Sequence, residues 1–223
     1  MSKKIIVAID ETDSTKFKYI INSLDSNLCM VKIGSVVFNS IGQDSVLFAN
    51  KKGFDIFLDL KLHDIPNTVS KTIEGLTSLP IKMLTVHTSG GKNMLIASME
   101  AVSGKGIQVF GVTALTSLSD ADTKEIFKRT NLEQVNTMLD LAESVGIDGV
   151  VCSPHELTEV KKRKSLLSIT PGIRLQNSDD DQKRVMSPKE ACDLGADHLV
   201  IGRPITTSEN IGMALEKIYL SIQ

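Results

Sequence analysis

The segment "GFDIFLDLK", Gly53 to Lys61, holds a helix-to-strand joint followed by a strand. Gly53 can take the left-handed geometry that closes a helix, and the same Gly-X-Asp joint recurs at Gly146-Ile147-Asp148 and Gly195-Ala196-Asp197. The strand recurs too. Short runs rich in valine and isoleucine follow one another along the chain: "IIVAID", "CMVKIG", "DIFLDLK", "MLTVHTSGG", "IQVFGVTALTS", "DGVVCSP", "LLSITPG" and "DHLVIGRP". Between them, apolar residues return every three or four positions over 68–76, 132–145 and 211–222, which predicts helices there. Near-continuous apolar strands alternating with helices imply a parallel sheet covered by helices. Eight such units predict an α/β fold of the (β/α)8 TIM barrel kind, one domain over residues 1–223. An open doubly wound sheet is the alternative, because closure is not visible in sequence.

The composition agrees. The chain has 223 residues, 41% hydrophobic and 23% charged, as expected of a globular protein able to bury a sizeable core. A net charge of -2 gives no general attraction to nucleic acid or to an anionic membrane, so an anionic ligand must be held by local groups. Cys29, Cys152 and Cys192 lack both zinc-site spacing and disulfide density and are expected to be reduced thiols. The apolar run near the N-terminus is shorter than a signal-peptide core, and no other run approaches membrane-span length. A cytoplasmic location is expected.

Charges in a strand destined for a core require a reason. Alternation puts Phe57, Asp59 and Lys61 on one face and Ile56, Leu58, Leu60 and Leu62 on the other. The aliphatic face must meet the helices, so Asp59 and Lys61 are expected inside the barrel near its C-terminal mouth, where barrel enzymes carry their chemistry. Asp10 ends the first strand and Lys32 interrupts the second, so Asp10, Lys32, Asp59 and Lys61 should converge. His87 reads as a structural strand residue, His63 is ambiguous, and no histidine and carboxylate spacing suggests a metal site.

A phosphate site is expected in "LVIGRPITTSEN", Leu199 to Asn210, where a strand ends in Gly202 and Arg203. The preceding loop carries "TPGIR" with Pro171, Gly172 and Arg174, and phosphate sites in barrels lie after strands seven and eight. Dinucleotide and Walker fingerprints are absent. The polar run "RLQNSDDDQKR", Arg174 to Arg184, reads as a solvated loop placed where loops build the active face.

Together these residues resemble the orotidine 5'-phosphate decarboxylase family. "LDLKLHDIPNTV" is similar to its D-x-K-x-x-D-I-P-N-T signature, and "VAID", "VKIG", "VTALTS", "TPGIR", "DQKR" and "VIGRPI" follow in the family's order. The resemblance implies a barrel homodimer that converts orotidine monophosphate to uridine monophosphate and carbon dioxide without cofactor or metal. By position it implies Lys61 as proton donor within a charge network of Lys32, Asp59 and Asp64. It implies that Asp64, Ile65 and Thr68 act on the other subunit's site, and that Asp10 and Lys32 hold ribose hydroxyls. Thr116, or Ser117 beside it, would contact the pyrimidine, with Gln182, Gly202 and Arg203 on the phosphate and Arg174 close by. The nearest rival is a magnesium-dependent sugar-phosphate enzyme of the same superfamily, but an acid for the metal is expected there where this chain has Lys32. A non-catalytic nucleotide-binding barrel is the other alternative, and it has no need of the charged set.

Overall fold

The computed structural model describes residues 4–174 and 186–223. Its strands are β1 (Ile5–Ile9), β2 (Cys29–Gly34), β3 (Ile56–Leu62), β4 (Met83–His87), β5 (Gln108–Val112), β6 (Gly149–Val151), β7 (Leu167–Thr170) and β8 (His198–Ile201). Each pairs in parallel with the next, and β8 pairs with β1, so the sheet closes. Closure excludes the open-sheet alternative, and the fold is a (β/α)8 barrel.

The strand sequences explain their burial. Side chains of β1, "IIVAI", are buried on both faces, as a strand between helices and a barrel interior requires. Ile5, Val7, Val31, Ile56, Leu58 and Leu84 face outward into the shell between sheet and helices. Ile6, Ala8, Met30, Phe57, Met83, Phe110, Ile169 and Val200 form a separate buried cluster inside the barrel. Phe57 and Phe110 meet there edge to face, with ring centroids 6.4 Å apart. The barrel is therefore plugged below its mouth.

The helices follow from caps as well as periodicity. They are α1 (Ser14–Ser23), α2 (Ser35–Ile41), α3 (Gln43–Lys51), α4 (Pro66–Leu76), α5 (Lys92–Ala101), α6 (Asp120–Phe127) and α7 (Asn131–Val145), then α8 (Leu157–Lys161), α9 (Pro188–Asp193), α10 (Arg203–Thr206) and α11 (Ile211–Ser221). The helix expected over 68–76 begins two positions earlier, because Pro66 suits a first turn that needs no N–H. Ser119 with Asp122, Thr130 with Glu133 and Ser187 with Glu190 form capping boxes on α6, α7 and α9.

The repeated joint is built as expected, with Gly53, Gly146 and Gly195 at φ 87°, 77° and 89°. Its aspartate has a use that composition does not show. Asp148 accepts from the Val109 N–H of β5 at 2.8 Å, and Asp197 accepts from the Ser168 N–H of β7 at 2.8 Å. Each carboxylate thus satisfies a backbone donor on the strand beside it.

Candidate active site

One residue pair above the apolar plug, the strands change character. Two positions after Met30, Phe57, Met83 and Phe110 come Lys32, Asp59, Thr85 and Val112. Alternation keeps all of these on the interior face, at the C-terminal mouth. They lie in or beside a cavity of about 260 Å³ lined also by Asp10, Lys61, Thr116, Arg174, Gly202 and Arg203. Ala8, Ala114, Val151, Ile169 and Val200 supply an apolar wall.

The four expected charges do converge. Lys61 Nζ donates to both oxygens of Asp59, at 2.9 and 2.8 Å. Lys32 Nζ lies 3.3 Å from Asp59 Oδ2 and 3.8 Å from Asp10 Oδ1. The order is therefore Asp10, Lys32, Asp59, Lys61, with signs alternating. Asp59 is buried at 7% exposure. Burial pushes its carboxyl up, but the charges of Lys32 and Lys61 and hydrogen bonds from Lys61 and Thr85 outweigh it, so the group stays below the usual carboxylate range.

Lys61 reaches the network by a route that simple alternation does not contain. Its φ is 52°, in the left-handed region that a residue with a Cβ rarely occupies. The β3 to β4 pairing shifts there: Leu58 lies opposite Leu84, whereas Leu62 lies opposite Val86. Two extra β3 residues are thus taken up between these pairs, a bulge of the kind that re-aims side chains near active sites. The Lys61 N–H donates to Thr85 Oγ1 at 2.9 Å instead of to a strand carbonyl.

Asp64, Ile65 and Thr68 stand apart. All three are exposed, Ile65 at 65%, and none lines the cavity of its own chain. Asp64 Oδ1 accepts from the Ile65 N–H at 2.6 Å, and among the described residues it forms no ion pair with Lys61. Within one chain, among the described residues, the network therefore has the single carboxylate of Asp59 on Lys61; the second acid, Asp64, is the one expected to act on the other subunit's site.

Thr116 lines the cavity and the neighbouring Ser117 does not. Arg174 is 8% exposed and enters the same cavity from the loop after β7, while Gly202 and Arg203 enter it after β8. Gln182 lies outside the described residues. His87 does not line the cavity; its ring lies beside that of His63, tilted by 33° with centroids 5.2 Å apart. Burial first, then the nearby His63 and Lys61, hold His87 below its ordinary value, with Asp59 opposing. Among the described residues no group of three or more His, Cys, Asp or Glu side chains is placed to hold a metal ion.

The functional group that sequence reasoning missed is Thr85. In "MLTVH" it reads as an ordinary β-branched strand residue. Its only signal was position, inward-facing and level with Lys32 and Asp59.

Comparison with known proteins decides the family. The profile described as "Orotidine 5'-phosphate decarboxylase / HUMPS family" matches residues 3–218. The chain belongs to that family. Family relatives include the orotidine 5'-phosphate decarboxylase of Ehrlichia chaffeensis, 46% identical over 98% of this chain and 96% of the relative. The enzyme of that name from Wolbachia pipientis is 44% identical over 98% of both chains. The crystal structure of the orotidine 5'-phosphate decarboxylase from Lactobacillus acidophilus superposes with a TM-score of 0.87 at 32% identity, covering 100% of both chains.

Proposed function

We propose that this protein is an orotidine 5'-phosphate decarboxylase, a single barrel domain that converts orotidine monophosphate to uridine monophosphate and carbon dioxide in pyrimidine synthesis. The observation that carries this reading is the Asp10, Lys32, Asp59, Lys61 chain set in the same cavity as Arg174 and Arg203. The relatives' shared name supports it.

The chemistry explains the charges. Breaking the bond between pyrimidine C6 and the carboxylate leaves the electron pair in an in-plane orbital with little delocalisation. That carbanion needs a fixed cation beside it. Lys61 supplies the charge without reorganisation, then passes a proton from Nζ to C6 and regains one from water. Asp59 keeps Lys61 aimed and stands near the departing carboxylate. Repulsion between two like charges about 4 Å apart is roughly 4 kcal/mol at an effective dielectric near 20. Enzymatic accelerations correspond to about 8–23 kcal/mol, so stabilisation of the carbanion by Lys61 carries more weight than repulsion.

The remaining residues bind and orient. Asp10 and Lys32 hold ribose hydroxyls, and Thr116 meets the pyrimidine edge. Gly202, Arg203 and Gln182 grip the phosphate with Arg174 beside them. This remote grip supplies binding energy that holds the ring against the charged layer. Asp64, Ile65 and Thr68 serve the partner's cavity in a homodimer; their exposure and their absence from their own cavity support that role. A cytoplasmic location accords with reduced cysteines and with the absence, among the described residues, of any helix long and apolar enough to cross a membrane.

The direct experiment follows orotidine monophosphate absorbance with purified protein in excess EDTA. Metal-independent conversion to uridine monophosphate is expected. No turnover of this substrate with or without magnesium overturns the reading, and turnover that needs magnesium overturns its metal-free mechanism.

A further inference from the structure

We propose that Thr85 is a positioning residue for this reaction, its hydroxyl tying the backbone of Lys61 to the carboxylate of Asp59 and thereby fixing where the Lys61 ammonium points. The proposal rests on the decarboxylase reading.

Thr85 is fully buried on β4. Its Oγ1 accepts from the Lys61 N–H at 2.9 Å and lies 3.0 Å from Asp59 Oδ1. A backbone N–H can only donate and an ionised carboxylate can only accept, so the single hydroxyl proton is committed to Asp59. The Lys61 ammonium returns to the same carboxylate at 2.8 and 2.9 Å. A closed ring results: Lys61 backbone, Thr85 hydroxyl, Asp59 carboxylate, Lys61 ammonium. Both ends of the reactive residue are held by one hydroxyl and carboxylate pair.

The strain at Lys61 gives that ring something to resist. A left-handed φ of 52° in a residue with a Cβ persists only where the surroundings over-determine it. The β3 to β4 ladder cannot do so, because its register shifts between Leu58 and Leu62. The Thr85 hydroxyl supplies an acceptor for the Lys61 N–H at this irregular point. A valine of the same shape would fill the space and leave the Lys61 N–H without its acceptor and Asp59 without one donor. The groups that face Asp59 are Lys32, Lys61 and Thr85, with Asp10 reaching it through Lys32.

The test compares wild type, Thr85→Val and Thr85→Ser by kcat and KM for orotidine monophosphate. In parallel, the Asp59 carboxyl carbon is titrated by NMR with no substrate present. For Thr85→Val the expected result is a kcat loss of roughly tenfold to a hundredfold with KM changed by less than about threefold. Asp59 is expected to titrate at higher pH in that variant, and Thr85→Ser to recover most of both effects. Should Thr85→Val not fold, Thr85→Ala against Thr85→Ser repeats the comparison, since the two differ only by the hydroxyl. Wild-type kcat in the variants lacking the hydroxyl, equal impairment of the serine variant, or a change in KM alone overturns the proposal. An unmoved Asp59 titration overturns it as well. Wild-type protein that does not decarboxylate orotidine monophosphate sinks the decarboxylase reading instead, because the titration reports on the hydroxyl without any substrate.

Discussion

The lower and upper layers of the barrel interior are built by the same strands, two residues apart, and they obey opposite rules. Below, Met30, Phe57, Met83 and Phe110 exclude water and need no partners beyond each other. Above, Lys32, Asp59 and Thr85 are held at fixed distances by charges and a hydroxyl. The plug serves the layer above it. A charged layer is preorganised only if the floor beneath it cannot move, and a floor of large side chains packed to interior density is such a support. On the proposed mechanism the upper layer does the chemistry, and the lower layer holds its geometry.

The largest effect is expected from breaking the upper layer at its reactive end. On the proposed mechanism Lys61→Ala removes the cation beside C6 and the proton that replaces the carboxylate, so turnover should fall to background while an orotidine monophosphate analogue still binds through the phosphate grip. Single-turnover rates and analogue affinity check both halves. Near-normal turnover in this variant would remove Lys61 from the mechanism. The lower layer should respond in the other currency. Phe110→Ala deletes a fully buried ring that meets Phe57, and is expected to cost about 3–5 kcal/mol of stability by denaturant unfolding. Because the floor holds the charged layer in place, kcat should fall in this variant too, although Phe110 carries no polar group; an unchanged kcat would separate the layers.

Much of this division was legible in the sequence, and the part that was not has a definite cause. Period-two alternation and the recurring Gly-X-Asp joint place eight strands and point Asp59 inward, because burial on both faces of a parallel strand leaves few alternatives. Convergence of Asp10, Lys32, Asp59 and Lys61 follows from their common position near strand ends. Alternation presumes a regular ladder, however, and the ladder fails at Lys61. A left-handed lysine has no sequence signature of the kind a glycine provides, and the hydroxyl that holds it lies 24 residues away on another strand. Asp148 and Asp197 were seen as parts of a joint, yet the backbone donors they satisfy also belong to neighbouring strands. Local pattern reveals which residues are unusual, whereas their partners are set by closure of the barrel.

Outside the barrel interior, the proposed role of Asp64 in a homodimer is open to test with mixed dimers. Asp64 lies outside its own cavity, so co-assembled Lys61→Ala and Asp64→Ala chains should regain one intact site per mixed dimer. Random pairing then gives about a quarter of wild-type activity from two nearly inactive parents. Activity assayed after dissociation and remixing measures it, and no recovery from demonstrably mixed dimers would place Asp64 elsewhere.

The smallest effect is expected beside the charged layer, at the adjacent rings of His63 and His87. Burial, with His63 and Lys61 adding to it, lowers the His87 value below 6.5 in the folded chain. Between that lowered value and 6.5 the unfolded chain binds more protons, so the neutral ring favours the fold. This contribution is fully present above about pH 6.5 and is lost as pH falls through the folded value. The melting temperature should therefore decline as pH drops below about 6.5, and His87→Asn should flatten that decline while leaving the profile above neutrality unchanged. A decline of the same slope in His87→Asn would assign the acid sensitivity to other groups. It would then mark the histidine pair as packing alone, leaving Thr85 as the polar contact that β4 makes to the charged layer.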